Sequence, residues 1–303
     1  MTFTRQPPTF RSTAIRSCRW LLPVAAIIGM VLNTALLSSL MSSQKIFVTD
    51  APSWTASWRE TNPSKSNLWH TMSPSRQKEA LDEVMPYMKA HANIIKNPPS
   101  YKNVHGTCTI RDFGIGWGGK QLCDFPSTAE GDPPCAFISF GIENDYSFDT
   151  DLATKKNCRG FSADPSVVHL SQLNTSLVTF HNIGANLLHK NTQQKKSDTE
   201  WWTTSVPTLK KFLKLSKINV LKMDCEGCEY ALARDILQEE PDFFDHVDQF
   251  SFEVHLTKVW IQDTESLYYF AFLFKLLHDA GLKLQHSVMG SCSGRDEKAG
   301  CMR

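Results

Sequence analysis

Short apolar runs alternate with helical periods along the chain from residue 135 onward. Runs of four to seven residues with turn residues at their ends predict strands at 136–140, 160–163, 177–181, 218–223, 249–255 and 283–288. One helix face is predicted by Val206, Leu209, Phe212 and Leu213. Another helix, apolar from Leu267 to Leu277, can end at Gly281. Because strands alternate with helices, we predict an α/β fold with a mainly parallel sheet and helices on both faces.

The part of the chain before these strands has a different pattern. An amphipathic helix is predicted from Ser73 to about His91, with Pro74 in its first turn. Residues 42–72 are rich in Ser, Thr, Pro and Trp without a period, which is typical of a stem. The stem therefore precedes a domain that we place at 73–303.

An uncharged apolar segment runs from Trp20 to Met41. Its 22 residues match the roughly 20 that a helix needs to cross a bilayer. Four arginines precede it and Lys45 follows, so the positive-inside rule predicts a type II protein. Residues 1–19 are then cytosolic, 20–41 form a single transmembrane anchor, and the domain lies in the lumen of the Golgi or ER. A cleaved signal peptide is the alternative, although the basic leader and the apolar run are both longer than signal peptides usually have.

Composition narrows the class of protein. A chain of 303 residues with 41% hydrophobic residues can bury a full core, which excludes a disordered protein. The net charge of +1 leaves no basic surplus for a phosphate backbone, so we predict no nucleic-acid partner.

Eight of the nine cysteines follow the apolar segment, as expected for an oxidising lumen. Cys108–Cys123 and Cys292–Cys301 are the pairings we favour, and free buried thiols are an equal alternative. For Cys225 and Cys228 a redox-active disulfide stays possible, whereas zinc would need two more ligands. One acceptable glycosylation sequon is present, at Asn174.

Polar residues follow several predicted strands, where parallel sheets bind their ligands. Gly141, in a turn with Glu143 and Asn144, comes after the first strand. Asp164 follows the second strand, about 20 residues past the glycine, where such folds place a ribose-binding carboxylate. An ordinary turn with a capping aspartate is the alternative.

The strongest cluster of charge is the segment LKMDCEGCEY at 221–230. Asp224 and Glu226 would lie at the mouth of an apolar strand, whereas Glu229 falls in the first turn of the next helix and suits its dipole. In the fifth strand, alternation places Glu253 and His255 on one side, where they could act as a base or form a structural pair.

These segments resemble a known family. They are similar to FkbM-type and animal methyltransferase-like enzymes that depend on S-adenosylmethionine (SAM). The similar segments are CAFISFGIENDYSFD, SADP, LKMDCEGCEY and FEVH, with GWGGKQLCD upstream. The resemblance covers roughly 105–290. Two departures are Glu143, where many relatives have a second glycine, and a C-terminus that ends before the family's final antiparallel strand.

The resemblance implies a Rossmann-like methyltransferase fold and SAM as cofactor. It places Phe140, Gly141, Glu143 and Asn144 against the methionine part of SAM and Asp164 on its ribose. The implied reaction is methyl transfer to an oxygen of a glycan, lipid or small-molecule acceptor, with Asp224, Glu226 and His255 as candidate bases. No resident metal is predicted, and a cation bridging Asp224 and Glu253 is a variant.

Two other functions compete with this interpretation. Asp149-Thr150-Asp151 has the D-x-D pattern of Mn²⁺-dependent glycosyltransferases, although it falls in a predicted helix. An inactive methyltransferase-like binding module would keep the fold without turnover.

Overall fold

The computed structural model describes residues 1–5, 68–96, 108–116, 119–128, 135–167, 174–189, 200–254, 261 and 263–287. One compact unit contains Met1–Gln6 together with Lys65–Arg303. The remaining unit, Pro7–Ser64, lies outside the described residues, and so does the predicted membrane span.

A seven-stranded sheet forms the centre of the described part of the chain. Its strands are β1 (Thr2–Arg5), β4 (Cys135–Phe140), β5 (Cys158–Ala163), β6 (Val178–His181), β9 (Ile218–Met223), β10 (Val247–Phe252) and β11 (Leu282–His286). They lie in the order β11-β1-β10-β9-β4-β5-β6. From β10 to β6 all neighbours are parallel, and β1 is antiparallel to both of its neighbours. The sheet therefore has one reversed strand near one edge.

Two small sheets and six helices complete the described fold. The small sheets pair β2 (Ile110–Phe113) with β3 (Lys120–Cys123), antiparallel, and β7 (Gly184–Ala185) with β8 (Thr203–Thr204), parallel. The helices are α1 (Leu68–Thr71), α2 (Pro74–Lys96), α3 (Ser147–Lys156), α4 (Val206–Phe212), α5 (Cys228–Glu239) and α6 (Thr264–Asp279). A 3₁₀ turn at Phe243–His246 leads into β10.

Burial explains why the central strands read as continuous apolar runs. All six residues of β4 are buried, which requires cover on both faces of the sheet. Helix α3 packs Phe148 and Leu152 into a core with Phe137 and Val220. The α/β prediction is confirmed, with five predicted strands within about two residues of their observed ends. The 249–255 strand is wrong at its end, because β10 stops at Phe252.

Strand β1 brings the N-terminus into the sheet. Phe3 is 1% exposed and lies among aromatic rings, with centroids 5.6 Å from His91, 5.9 Å from Phe252 and 6.3 Å from Phe274. The Met1 amino group donates to the Phe252 carbonyl at 2.7 Å. An antiparallel strand from the start of the chain therefore lies between β10 and β11 in the sheet.

This pairing bears on the predicted division into a cytosolic tail (1–19), an anchor (20–41) and a lumenal domain (73–303), which stays a prediction. A chain that crosses a bilayer once between residues 20 and 41 would hold Thr2–Arg5 and β10 on opposite sides. The paired strand and a single crossing therefore exclude each other within one molecule. In the part of the chain that the structure describes, no helix combines the length and the apolar character needed to cross a membrane.

Three disulfides fasten the described fold. Cys108–Cys123 confirms a predicted pairing. Cys135–Cys158 joins the first residues of the neighbouring strands β4 and β5, and Cys225–Cys228 lies after β9. The predicted Cys292–Cys301 pair is outside the described residues. Disulfides of this number are expected where thiols are oxidised.

We predict that Phe3→Ala lowers the free energy of unfolding by about 3–5 kcal/mol, because it removes a buried ring and leaves a cavity among aromatic side chains. Chemical denaturation of the full chain measures this loss. Ile115→Ala is the matched control, since Ile115 is 76% exposed and its truncation should change stability little. An unchanged unfolding midpoint in Phe3→Ala would show that β1 contributes nothing to the fold in solution.

Candidate active site

The predicted site residues lie at the carboxyl ends of four neighbouring strands. Asp224 follows β9, Glu253 follows β10, Gly141 follows β4 and Asp164 follows β5. Asp224 N donates to Phe140 O at 3.1 Å and Glu253 N donates to Met223 O at 3.0 Å, so the pairing continues past the strand ends. The sheet order places the Gly141 turn between Asp164 and Asp224.

Gly141 is required by a close backbone approach. Its φ is +74°, and a Cβ at this position would lie 1.6 Å from the Asp224 carbonyl oxygen. No side chain fits there without separating β4 from the end of β9. The amide of Gly141 donates to the Ala163 carbonyl at 3.0 Å, which ties the same turn to β5.

Asp164 holds the far side of this turn. Its Oδ2 accepts from Glu143 N at 2.9 Å, and its Oδ1 accepts from Ser166 N at 2.8 Å and from Ser166 Oγ at 2.6 Å. A carboxylate offers about four acceptor positions, so within the described part of the chain these three donors leave one position on Oδ2. Asp164 can therefore accept one further hydroxyl, and a second would have to displace Ser166.

The other residues predicted to bind the cofactor divide into two groups. Glu143 and Asn144 are exposed on the turn, and Glu143 has a φ of +43°. Phe140 is fully buried in the sheet, so its side chain cannot face a ligand at the turn. Gly141, Glu143 and Asn144 thus lie in one polar turn, and Asp164, at the end of β5, holds that turn through Glu143 N.

An ion pair that sequence reasoning missed lies on the other side of the turn. Lys120 Nζ is 2.8 Å from Asp224 Oδ2 and 3.5 Å from Glu253 Oε2. Burial alone would raise the pKa of Asp224, but the attraction of Lys120 and then Lys222 outweighs it and lowers the pKa. Burial likewise opposes the charge of Lys120, and Asp224 and Glu253 raise its pKa above the usual value. Asp224 is therefore ionised at neutral pH.

Lys120 reaches this position from the β2–β3 hairpin, about a hundred residues before Asp224 in the chain. In the sequence, the segment GWGGKQLCD shows the family resemblance but gives no sign of this ion pair. Its lysine ammonium lies between the two carboxylates that we considered as bridges for a divalent cation, and it supplies the positive charge there. Nearby, burial and then Lys120 lower the pKa of the Met1 amine to about 5.

The acidic residues after Asp224 have different surroundings. Glu229 is buried, and its Oε2 accepts from Gly227 N at 2.8 Å at the start of α5, which is the structural role expected of it. Glu226 is half-buried with a φ of +53°. The Cys225–Cys228 disulfide brackets Glu226 and closes this loop. Glu226 is thus two residues after Asp224 and lies in a loop that the disulfide constrains.

His255, the third predicted base, lies outside the described residues. Glu253 follows the end of β10, so strand alternation does not extend from it to His255. The only described group of three possible metal ligands is Glu240, Asp242 and His246, where Glu240 pairs with Lys210. That group precedes β10 and lies at the opposite end of the strand from Glu253.

The D-x-D pattern has no part in this site. Asp149 is buried in α3 and accepts from Ser162 Oγ at 2.5 Å. Asp151 accepts from Gly114 N at 2.8 Å and from Lys155 Nζ at 2.6 Å. Since both carboxylates lie within α3 and are hydrogen-bonded there, they do not form a nucleotide-sugar site at a strand end.

Comparison with known proteins identifies the domain. No curated protein and no solved structure matches the chain. A family model described as a methyltransferase domain matches residues 87–271, more than half of the chain, and spans Lys120, Gly141, Asp164 and Asp224. The closer assignment to the FkbM-type or animal branch stays a prediction. The sheet, the acidic strand ends and this match agree, and the chain belongs to that methyltransferase family.

Proposed function

We propose that the domain transfers a methyl group from SAM to a hydroxyl oxygen of a glycan, lipid or small-molecule acceptor. The observation that carries this proposal is the arrangement of two polar surfaces around the Gly141 turn. The Asp164 side has one free acceptor position for a ribose hydroxyl. The Asp224 side has an ionised carboxylate paired with Lys120. Cofactor and acceptor would thus be held at neighbouring strand ends.

SAM supplies an electrophilic methyl group and a neutral leaving group, so the protein contributes alignment and proton handling. The residues that would hold the cofactor are Gly141, Glu143, Asn144 and Asp164. Their turn is fixed to β5 by two hydrogen bonds, from Gly141 N to Ala163 O and from Glu143 N to Asp164 Oδ2. The preformed turn reduces the ordering cost of binding.

Asp224 would orient the acceptor hydroxyl by accepting its hydrogen bond. With a lowered pKa, Asp224 is a weak base toward an intact alcohol. Once the oxygen begins to bond to the methyl carbon, its proton becomes strongly acidic, and a carboxylate then suffices to take it. Lys120 would keep Asp224 ionised and pointed along the strand end. Glu226 and His255 stay the other candidates for this role.

We also propose that the domain works in an oxidising compartment, in the Golgi or ER lumen. The Cys108–Cys123 and Cys135–Cys158 disulfides support this location. The type II anchor at 20–41 is the proposed membrane attachment. In a molecule inserted that way, Thr2–Arg5 must leave the sheet, so β1 pairs only in molecules whose N-terminus lies on the same side as the domain.

The first prediction from the proposed function concerns the binding of the cofactor. Isothermal titration of SAM into the full chain should show binding that weakens at least about tenfold in Asp164→Ala, because a charge-assisted hydrogen bond to ribose is lost. Ser166→Ala is the matched control, since it removes only one donor to Oδ1 and leaves the free position on Oδ2. SAM should raise the melting temperature, and a UDP-sugar with Mn²⁺ should not. The reverse pattern would favour a glycosyltransferase.

The second prediction concerns transfer. Asp224→Asn should bind SAM like the wild type and lower the rate of methyl transfer by a factor of about 10²–10⁴, because the proton acceptor is lost. Labelled SAM with glycan, lipid and small-molecule extracts measures the rate. Asp124→Asn is the control, since Asp124 pairs with Lys156 and Arg111 and with none of the residues that follow the central strands β4, β5, β9 and β10 in the site. Full activity in Asp224→Asn would remove Asp224 from the mechanism, and SAM binding without any transfer by the wild type would indicate a binding module.

The third prediction concerns the compartment. Asn174 is exposed in the sequon at the turn before β6, so a lumenal domain expressed in eukaryotic cells should carry a glycan there. Endoglycosidase should increase the gel mobility of the wild type and not that of Asn174→Gln. Asn62→Gln is the control, because Pro63 prevents glycosylation of Asn62. An unglycosylated domain that proteases reach in intact microsomes would place it on the cytosolic side.

A further inference from the structure

A buried lysine contacts the turn after β4 from the neighbouring strand. Lys222, in β9, is 1% exposed, and its Nζ donates to the Gly141 carbonyl oxygen at 2.7 Å. Lys222 is the one charged residue in the predicted strand 218–223, and none of the proposed chemical steps uses it. An ammonium group in such a place is costly unless it is paired.

Asp149, on α3, attracts Lys222 electrostatically. Asp149 is fully buried, and burial raises the pKa of its carboxyl, an effect that the attraction of Lys222 opposes only in part. Asp149 in turn accepts from Ser162 Oγ, on β5. Lys222 therefore joins its own strand β9 to the turn after β4 by a hydrogen bond, and the helix that follows that turn attracts its charge.

The turn itself adopts an unusual backbone conformation. Gly141 and Glu143 both have positive φ values, +74° and +43°, and a glutamate rarely adopts this region without being held. Glu143 N is held by Asp164, and Gly141 N is held by Ala163 O. The Gly141 carbonyl is held by Lys222. Each side of the turn thus has a fixed contact, and Lys222 supplies the one on the β9 side.

We infer that Lys222 is a positioning residue for the cofactor site, whose ammonium holds the Gly141 carbonyl so that the turn and Asp164 keep the geometry needed to bind SAM. This inference rests on the proposed function. Lys222 acts through Gly141 and contacts no reacting atom. Loss of its ammonium releases the Gly141 carbonyl, and the polar turn then samples other conformations before SAM binds.

The test uses the full chain with a double substitution, Lys222→Met with Asp149→Asn. Methionine keeps the volume of the lysine stem, and asparagine removes the carboxylate that would otherwise stay buried without its counter-charge. The control is Lys210→Met with Glu240→Gln, because Lys210 is also buried and paired, but on α4 and with a carboxylate before the start of β10. Melting temperature, hydrogen exchange and SAM titration are measured on each protein.

We expect the double variant to keep a melting temperature close to that of the control variant. Exchange of the Gly141 and Glu143 amides should be roughly tenfold faster, and SAM binding roughly tenfold or more weaker. Slow exchange at the turn, or wild-type affinity for SAM, would overturn the inference. If the wild type itself does not bind SAM, the proposed function fails, and exchange at the turn still decides the role of Lys222.

A second variant tests the inference if the double variant does not fold. Lys222→Gln places a neutral donor in the same strand position, one atom shorter, so it can be buried at lower cost and falls short of the Gly141 oxygen. Faster exchange confined to the turn supports the positioning role. A uniform rise in exchange across β4, β5 and β9 would show that Lys222 stabilises the core in general, and would overturn it.

Discussion

The close approach of the β4 turn to the end of β9 is the constraint on which the site depends. Because Gly141 has no side chain, its backbone reaches the Asp224 carbonyl, and the polar residues after β4, β5 and β9 meet within one edge of the sheet. A larger residue at 141 would separate these strand ends. The two polar surfaces of the site, around Asp164 and around Asp224, would then no longer flank one turn.

The same edge is coupled to the N-terminus through β10. Phe252 accepts a hydrogen bond from the Met1 amine and stacks with Phe3, and the next residue, Glu253, is near Lys120. The end of β10 therefore contacts both β1 and the acidic cluster, so the position of β1 affects the geometry of that cluster. Membrane insertion that withdraws residues 1–5 would remove the Met1 amine from the cluster and an aromatic ring from the core.

The sequence predicted the sheet well because its central strands are buried on both faces and read as apolar runs of β-strand length. It also placed Gly141, Asp164 and Asp224 at strand ends, since that position follows from the strand boundaries alone. Lys120 could not be assigned in this way, because its partners lie more than a hundred residues away and only the folded hairpin brings them together. Strand β1 was missed for a similar reason: four residues carry little pattern, and their partners are at 249–251 and 282–286.

The net charge of the site depends on which carboxylates the ammonium groups of Lys120 and Lys222 contact or attract. Lys222 is engaged by the Gly141 carbonyl and is attracted by Asp149, and Lys120 is shared between Asp224 and Glu253. Neither lysine pairs directly with Asp164, whose partners are backbone amides and a serine. At the strand ends Lys120 thus faces the carboxylates of Asp224 and Glu253, and Asp164 adds a third, so the surplus there is negative. A negative surplus in a partly buried site favours a cationic ligand over a phosphate-bearing one. The sulfonium of SAM is a cation, so the electrostatics of this edge agree with methyl transfer.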